Sequence, residues 1–556
     1  MIGRIFVFLA ALVNMSFGLV SPELKRHVAT AAPDALLPVH VVMKEQFDPS
    51  LLNSLVAGMP RAARRAEVAR ILRDFSDGQQ SDLLQFLAAG NARKVTPLWI
   101  VNAVCCEATP DVIRQVSERP DVAYVGYDLA YAPGELEEPG EPAPPTAEIP
   151  WGVERINAPA VWALGHTGQG IVVGIIDTGC NYNHPDFADH LWTDVNYPHH
   201  GWDFENNDND PMDDNGHGTY TAGCVASDGT SGSQCGAAPD AQLMFCRVRT
   251  TADSISESQC WQAMEFCVAP PLSPASGADL YVTTLGWMMA WQPHQAVWRT
   301  AVDNVQAAGL SQVFSAGADG SGNPPYNLRC PGHVPPPWWN PENTGTGALS
   351  GGITAGATDE SDNLASFSGQ GPVTWQGIAP FDDYAYPPGL TKPEFCAPGV
   401  NIKTCALGGG YTTVSGTSWS CGFVGGAVAL LLSADSSLTP AGIDSLLEVS
   451  AVDLGPSGKD NAYGAGRIDV LAAVTGVAEA RPTLQARRMT PVAVPNPFRQ
   501  ACRVSRPGAE VEVLDALGRR VAVLSGGVWQ PGPEVEPGVY HLRTATGETV
   551  RVTYIR

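Results

Sequence analysis

Three short segments carry residue types that work together in acyl transfer. Asp177 closes the run Ile175-Ile176-Asp177-Thr178-Gly179, His217 stands in Asn215-Gly216-His217-Gly218-Thr219, and Ser418 ends Ser415-Gly416-Thr417-Ser418. A serine hydroxyl is a weak nucleophile until a base takes its proton. Histidine is the side chain whose unperturbed pKa suits that task at neutral pH. A buried carboxylate holds the imidazole tautomer and stabilises the cation that forms. Each residue alone also has a plainer role: Asp177 as a turn or cap, His217 as a structural histidine, Ser418 as a helix cap. An Asp-Thr-Gly triplet can serve paired-carboxylate hydrolysis too, but that chemistry needs a second such acid, and Asp319-Gly320 lacks the setting. Together, in the order Asp, His, Ser, the three predict a nucleophilic triad.

The flanking elements must position them. Ile171 to Ile176 is a continuous apolar run, as a parallel strand buried on both faces requires. His217 leads into a helix over Tyr220 to Ala226. Ser418 opens a long helix that is apolar nearly all round, which predicts burial at the centre of the protein. The amino end of that helix would offer N–H groups and a positive dipole end to a developing oxyanion. Strands predicted over 243–248, 280–284 and 313–315 alternate with helices over 256–268 and 296–308. This alternation predicts an α/β fold, a doubly wound parallel sheet with helices on both faces. Such sheets bind ligands at the carboxyl ends of their strands.

On these motifs residues 151–474 resemble the subtilase family of subtilisin-like serine peptidases, nearest its bacillopeptidase-F-like secreted members. Further matches are Trp151 to Ala158, His184-Pro185-Asp186, Ala365-Ser366-Phe367-Ser368, Cys396-Ala397-Pro398-Gly399 and Tyr463-Gly464-Ala465-Gly466-Arg467. The resemblance implies a bacterial enzyme, secreted or on the cell surface, that cuts polypeptides through a serine acyl-enzyme without an organic cofactor. It further implies that Thr284-Leu285-Gly286 and Ser315-Ala316-Gly317 flank the substrate backbone and its main specificity pocket. One departure bears on activity. Where the family carries an asparagine that donates to the oxyanion, this chain has Ala318. Loss of one such donor costs about 10²–10³ in turnover. A weakly active or inactive pseudopeptidase that binds peptides is therefore the alternative. Asp319 and Asn323 are the nearby polar side chains. Trp419-Ser420-Cys421-Gly422-Phe423 after the serine, and Tyr220 after the histidine turn, also depart from the family, in positions that concern packing.

The rest of the 556-residue chain reads as accessory segments. Arg4, the apolar run Ile5 to Val13 and Ser16-Phe17-Gly18 predict a signal peptide over 1–18. Residues 36–128 read as a small α+β unit and resemble the family's inhibitory pro-domain at Trp99-Ile100-Val101-Asn102 and Arg119-Pro120-Asp121-Val122. The chain's own pro-domain would then be an intramolecular partner. Within it, Leu98 to Val104 reads as a strand, Thr109-Pro110-Asp111 as a capped helix start, and Arg61, Arg64, Arg65, Arg70 and Arg73 as the solvated face of an amphipathic helix. Residues 129–150, rich in Pro, Glu and Gly, read as an exposed linker open to processing. The peptidase-like region extends over 151–478. Residues 486–556 read as a small antiparallel β unit. They resemble the Ig-like β-sandwich sorting domain of type IX secretion substrates at Pro495-Asn496-Pro497-Phe498, Leu517-Gly518-Arg519 and Pro537-Gly538-Val539-Tyr540, which implies that machinery as a partner. In the acidic loop 206–214, Asp208, Asp210 and Asp213 are candidate ligands of a structural calcium, against a plain polar loop as the default. A Pro-rich stretch over 320–347 includes Pro335-Pro336-Pro337-Trp338-Trp339 and would lie near Ala318. The net charge of -24 argues against nucleic acid and anionic membranes as partners, and no segment after the leader reads as a membrane span. Several of the 13 cysteines sit in apolar runs, which predicts buried free thiols.

Overall fold

The computed structural model describes residues 19–128, 140–249, 255–286, 292–336, 351–477, 493–494, 502–504, 511–515, 519–524, 528–532, 534–544 and 549–554. The expected signal peptide, linker residues 129–139, residues 337–347 of the Pro-rich stretch, Pro495 to Phe498 and Leu517-Gly518 lie outside the described residues. By contact the chain divides into two compact units. One holds the described residues through Gln46 with Ser76–Leu98 and Asn102–Asp128; the other holds Phe47–Phe75, Trp99–Val101 and the described residues beyond Asp128.

Seven parallel strands build the main sheet of the larger unit. Their order is Phe395–Pro398, Gly352–Thr358, Ser311–Ser315, Leu280–Thr283, Val172–Asp177, Gln242–Arg247, Gly201–Asp203. Val172–Asp177 pairs with Gln242–Arg247 on one side and Leu280–Thr283 on the other. The chain winds out from it in both directions, so the switch point of the expected α/β sheet falls at Asp177. The helix Thr417–Ala434 is buried from Thr417 through Leu432. Among the described residues it alone is long and apolar enough to cross a membrane, yet 89% of it is buried inside the protein. Missing side chains let it approach: a Cβ on Gly425 would lie 2.2 Å from Val282 Cγ2, and one on Gly422 would lie 2.8 Å from Cys224 Cβ. A core of Val173, Ile175, Val225, Leu243, Val282 and Val424, among others, surrounds it.

The smaller unit is a four-stranded antiparallel sheet in the order Arg93–Leu98, Ala103–Ala108, Leu37–Met43, Val122–Tyr127. The helix Pro110–Ser117 starts as expected, with Thr109 accepting from the Val112 N–H and proline at its first position. The strand expected over 98–104 is instead two strands. Its centre, Trp99–Asn102, is a turn. The turn's N–H groups have a partner far along the chain: Glu265 Oε1 accepts from Ile100 at 2.8 Å and from Trp99. Burial pushes the Glu265 carboxyl up to about 8, against the pull of these N–H groups and Arg73.

The arginine face also differs from expectation. Only Arg70 is solvated, paired with Glu67 and Asp74. Arg65 is 6% exposed. It donates to the Ala278 carbonyl and pairs with Asp279. Arg61 donates to Leu438 O at 2.9 Å, Arg64 to Ala307 O at 2.5 Å and Arg73 to Ala269 O at 3.1 Å. Ala307 and Ala269 end the helices Gln292–Ala307 and Glu257–Val268. Terminal carbonyls of helices have no intrahelical donor, and these guanidinium groups supply one.

The described part of the linker is exposed but not loose. Glu141–Ala143 pairs with Tyr411–Val414, which in turn pairs with Ile402–Cys405. Lys403 binds Thr146 and Glu148 beyond it. In the C-terminal region Arg520–Leu524, Val511–Asp515, Gly538–Thr544 and Thr549–Tyr554 form an antiparallel sheet, and Ala493–Val494, Cys502–Val504 and Val528–Trp529 form a second. Cys502 and Trp529 of one sheet share a core with Val511, Val513, Leu542 and Val552 of the other. All 13 cysteines are buried and none is in a disulfide, which accords with the apolar or small-residue runs around Cys180, Cys224, Cys246 and Cys421.

Candidate active site

Asp177, His217 and Ser418 meet at the carboxyl end of the central strand. His217 Nδ1 lies 2.8 Å from Asp177 Oδ1 and 3.0 Å from Oδ2. His217 Nε2 lies 3.2 Å from Ser418 Oγ. Asp177 is fully buried, while His217 and Ser418 are 9% and 7% exposed. The acid accepts further bonds from the Thr178 N–H at 2.7 Å, Thr284 Oγ1 at 2.7 Å and Thr221 Oγ1 at 3.2 Å. Burial alone would raise its pKa; the charge and hydrogen bond of His217, with the Thr284 and Thr178 donors, outweigh burial and hold it below the ordinary value. A carboxylate on Nδ1 places the ring's proton there and leaves Nε2 to accept from the serine. Ser418 is the second residue of the helix Thr417–Ala434, so its hydroxyl stands at the amino end of the dipole. Trp419 is buried behind it, its ring 5.0 Å from that of His217. Tyr220 packs on the same indole at 5.8 Å.

A fourth side chain holds the histidine turn. Asp213 Oδ1 accepts from Thr178 Oγ1, Asn215 N and Gly216 N, each at 2.9 Å. Its Oδ2 accepts from Thr219 N at 3.0 Å and Thr219 Oγ1 at 2.6 Å. It thus caps the helix His217–Ala226 and ties it to the residue after Asp177. Gly218 lies so close to that loop that a Cβ there would sit 2.0 Å from Gly179 O. The calcium reading grouped Asp213 with Asp208 and Asp210. Among the described residues these three do not form one of the clusters of possible ligand atoms: Asp213 faces the histidine turn, Asp210 accepts from Tyr182 Oη at 2.7 Å, and Asp208 accepts from the Asp210 N–H at 2.9 Å. The acid-rich composition of the loop concealed which acid was already committed to hydrogen bonds.

The residues expected beside the substrate divide by role. The Thr284 hydroxyl is committed to Asp177, and its carbonyl accepts from Ser315 Oγ at 2.7 Å. Leu285 and Ala316 are buried, Ala316 against Leu328, Val373 and Leu390. Gly317 donates its N–H to Thr417 Oγ1 at 3.1 Å, which puts it one residue from the serine. Ala318 follows, partly exposed and without a polar side chain. Asp319 accepts from Arg329 Nε at 2.7 Å. The Asn323 N–H donates to Asn327 Oδ1 at 2.5 Å.

Carboxylate, imidazole and hydroxyl converge here at the switch point of a doubly wound sheet, in the Asp, His, Ser chain order of subtilisin. The chain belongs to the subtilase family: residues 168–466, more than half its length, match that family, also termed peptidase S8. Bacillopeptidase F of Bacillus subtilis (strain 168) is 28% identical over 458 residues, which cover 77% of this chain and 30% of the relative. Serine protease AprX of the same strain is 30% identical over 329 residues, 56% of this chain and 67% of its own. An alkaline protease of Alkalihalobacillus alcalophilus is 27% identical over 367 residues, 66% of this chain and 78% of its own. The chain therefore spans under a third of the length of bacillopeptidase F and larger shares of the other two.

Proposed function

We propose that this protein is a secreted serine endopeptidase that hydrolyses peptide bonds through an acyl-enzyme on Ser418. The observation that carries the proposal is the imidazole of His217, bonded to Asp177 through Nδ1 and to Ser418 through Nε2. In this reaction Ser418 Oγ attacks the scissile carbonyl carbon while His217 Nε2 takes its proton. Asp177 steadies the imidazolium that results. The carbonyl oxygen, now an oxyanion, faces the N–H groups at the amino end of the serine's helix. The intermediate then expels the amine, to which His217 returns the proton. Water repeats the cycle, the acid leaves, and the Ser418 hydroxyl is restored.

Ala318 supports a second reading, a pseudopeptidase that holds peptides and turns over little. It removes one oxyanion donor, and such a loss costs about 10²–10³ in turnover. A fluorophosphonate probe separates the two. Labelling that Ser418→Ala abolishes fits the enzyme; no labelling of folded protein sinks it.

Residues 36–128 act, in this proposal, as an inhibitory pro-domain of a proenzyme. The support is the resemblance at Trp99 to Asn102 and Arg119 to Val122. Processing then falls N-terminal to Glu141, because Glu141–Ala143 is held by strand pairing. The C-terminal β unit serves delivery to the surface through a type IX route. Deleting 486–556 and finding unchanged export would refute that role.

A further inference from the structure

Gly286 and Gly317 follow the carboxyl ends of two neighbouring parallel strands, Leu280–Thr283 and Ser311–Ser315. Both glycines face one side chain. A Cβ on Gly286 would lie 3.1 Å from Arg329 Cβ. A Cβ on Gly317, whose φ is +85°, would lie 3.0 Å from Arg329 Cγ, 3.1 Å from Cδ and 3.2 Å from Nε. The arginine stem therefore runs across both strand ends, next to the backbone that bonds Thr417. Its charged end is held on one edge only. Nε donates to Asp319 Oδ2 at 2.7 Å, and among the described residues neither Nη group makes a hydrogen bond. The side chain is 14% exposed, that of Asp319 33%.

We infer that Arg329 selects substrates with an acidic side chain on the residue whose carbonyl Ser418 attacks. The inference rests on the peptidase reading and names its substrate class. An acyl group on Ser418 must put that residue's side chain beside Thr417 and Gly317. Glycine leaves backbone alone on that wall, so the arginine stem and its guanidinium meet the incoming side chain. A carboxylate can take both Nη donors in the fork geometry that favours Arg over Lys. A lysine there would approach a guanidinium edge, and the nearest acid already has one oxygen bound. Partial burial keeps the interaction from being screened as a surface pair would be.

Matched peptides that differ only at this residue, as Glu, Gln, Leu or Lys, test the inference on the full chain. The wild type should favour Glu over Gln in kcat/KM by about tenfold or more, the worth of a charge-assisted pair. Arg329→Gln should bring that ratio near one, Arg329→Lys should retain part of it, and Asp319→Asn should raise it. Equal rates for Glu and Gln, a preference for Lys, or a ratio unmoved by Arg329→Gln would overturn it. A binding arm separates this failure from failure of the peptidase reading. In Ser418→Ala, a fluorescent peptide ending in Glu should bind more tightly than its Gln counterpart, and Arg329→Gln should abolish the difference. If the wild-type serine neither labels nor cuts, the peptidase reading falls, and equal binding of the two peptides sinks the role of Arg329 by itself.

Discussion

Asp213→Asn is the substitution that most directly tests how the histidine turn is held. The carboxylate is 5% exposed and takes five donors, three on Oδ1 and two on Oδ2. Asparagine keeps the shape. If its oxygen stays with Thr178, Asn215 and Gly216, its NH₂ must face Thr219. The Thr219 hydroxyl, which already accepts from the Asn181 N–H, can turn and accept a second bond, but its own proton and the Thr219 N–H then both lose their acceptor. Together they cost about 2 kcal/mol or more, at about 1–3 kcal/mol for each buried donor without a partner. The three bonds that remain fall from charge-assisted to neutral, a further loss of about 1 kcal/mol or more, offset in part because no charge is now buried. The sum is about 3 kcal/mol. At about 2 °C per kcal/mol for a domain of this size, the melting temperature should drop by about 6 °C. A misplaced His217 should also lower turnover by about 10²-fold. Calorimetry in a Ser418→Ala background, which prevents self-digestion, measures the first effect; a fluorogenic peptide well below the transition measures the second. A melting temperature within 1 °C of wild type, with rates within about twofold, would refute the assignment of Asp213 as the clamp. A chelator that destabilises wild type but not Asp213→Asn would show that the acid holds a cation instead.

Asp177→Asn should leave the fold intact and reduce turnover by about 10⁴, because the imidazole would settle in the wrong tautomer; a loss below tenfold would contradict the proton path. Acid stability provides a second test of the same residue. Its folded pKa lies below the unfolded value of about 3.9, so the unfolded chain binds the proton more readily. Its stabilising effect is complete above that pH and is lost as pH falls through the folded value. Melting temperature should therefore fall less steeply below about pH 4 in Asp177→Asn than in wild type, and parallel curves would disprove the linkage. Ala318→Asn should raise turnover by about 10², and an unchanged rate would mean that another donor already fills the hole. Amino-terminal sequencing of the processed protein should find a first residue at or before Glu141; a start at Pro142 or later would contradict the strand pairing.

What could be read from the sequence, and what could not, divides along one physical line. Val172–Asp177 was legible because a strand buried on both faces must be apolar at every position. The start of Pro110–Ser117 was legible because the Thr109 hydroxyl accepts from a donor only a few residues away. The triad was legible as three local motifs, although their convergence is tertiary. Gly352–Thr358, by contrast, dilutes its β-branched Ile353, Thr354 and Thr358 with glycine and alanine, and it forms through pairing with Ser311–Ser315 and Phe395–Pro398. The arginines looked solvated because their acceptors lie elsewhere: Arg64 reaches a carbonyl 243 positions away. Asp213 reads like any acid in an acidic loop, and only its five donors set it apart. Arg329 carried no motif and is conspicuous only because two glycines, more than thirty positions apart, leave the space that it fills. A local signal reports what a residue does to its own helix or strand. The residues that tune this site act on backbone brought to them by the sheet, so their roles follow from the fold and from no window of the sequence that contains them.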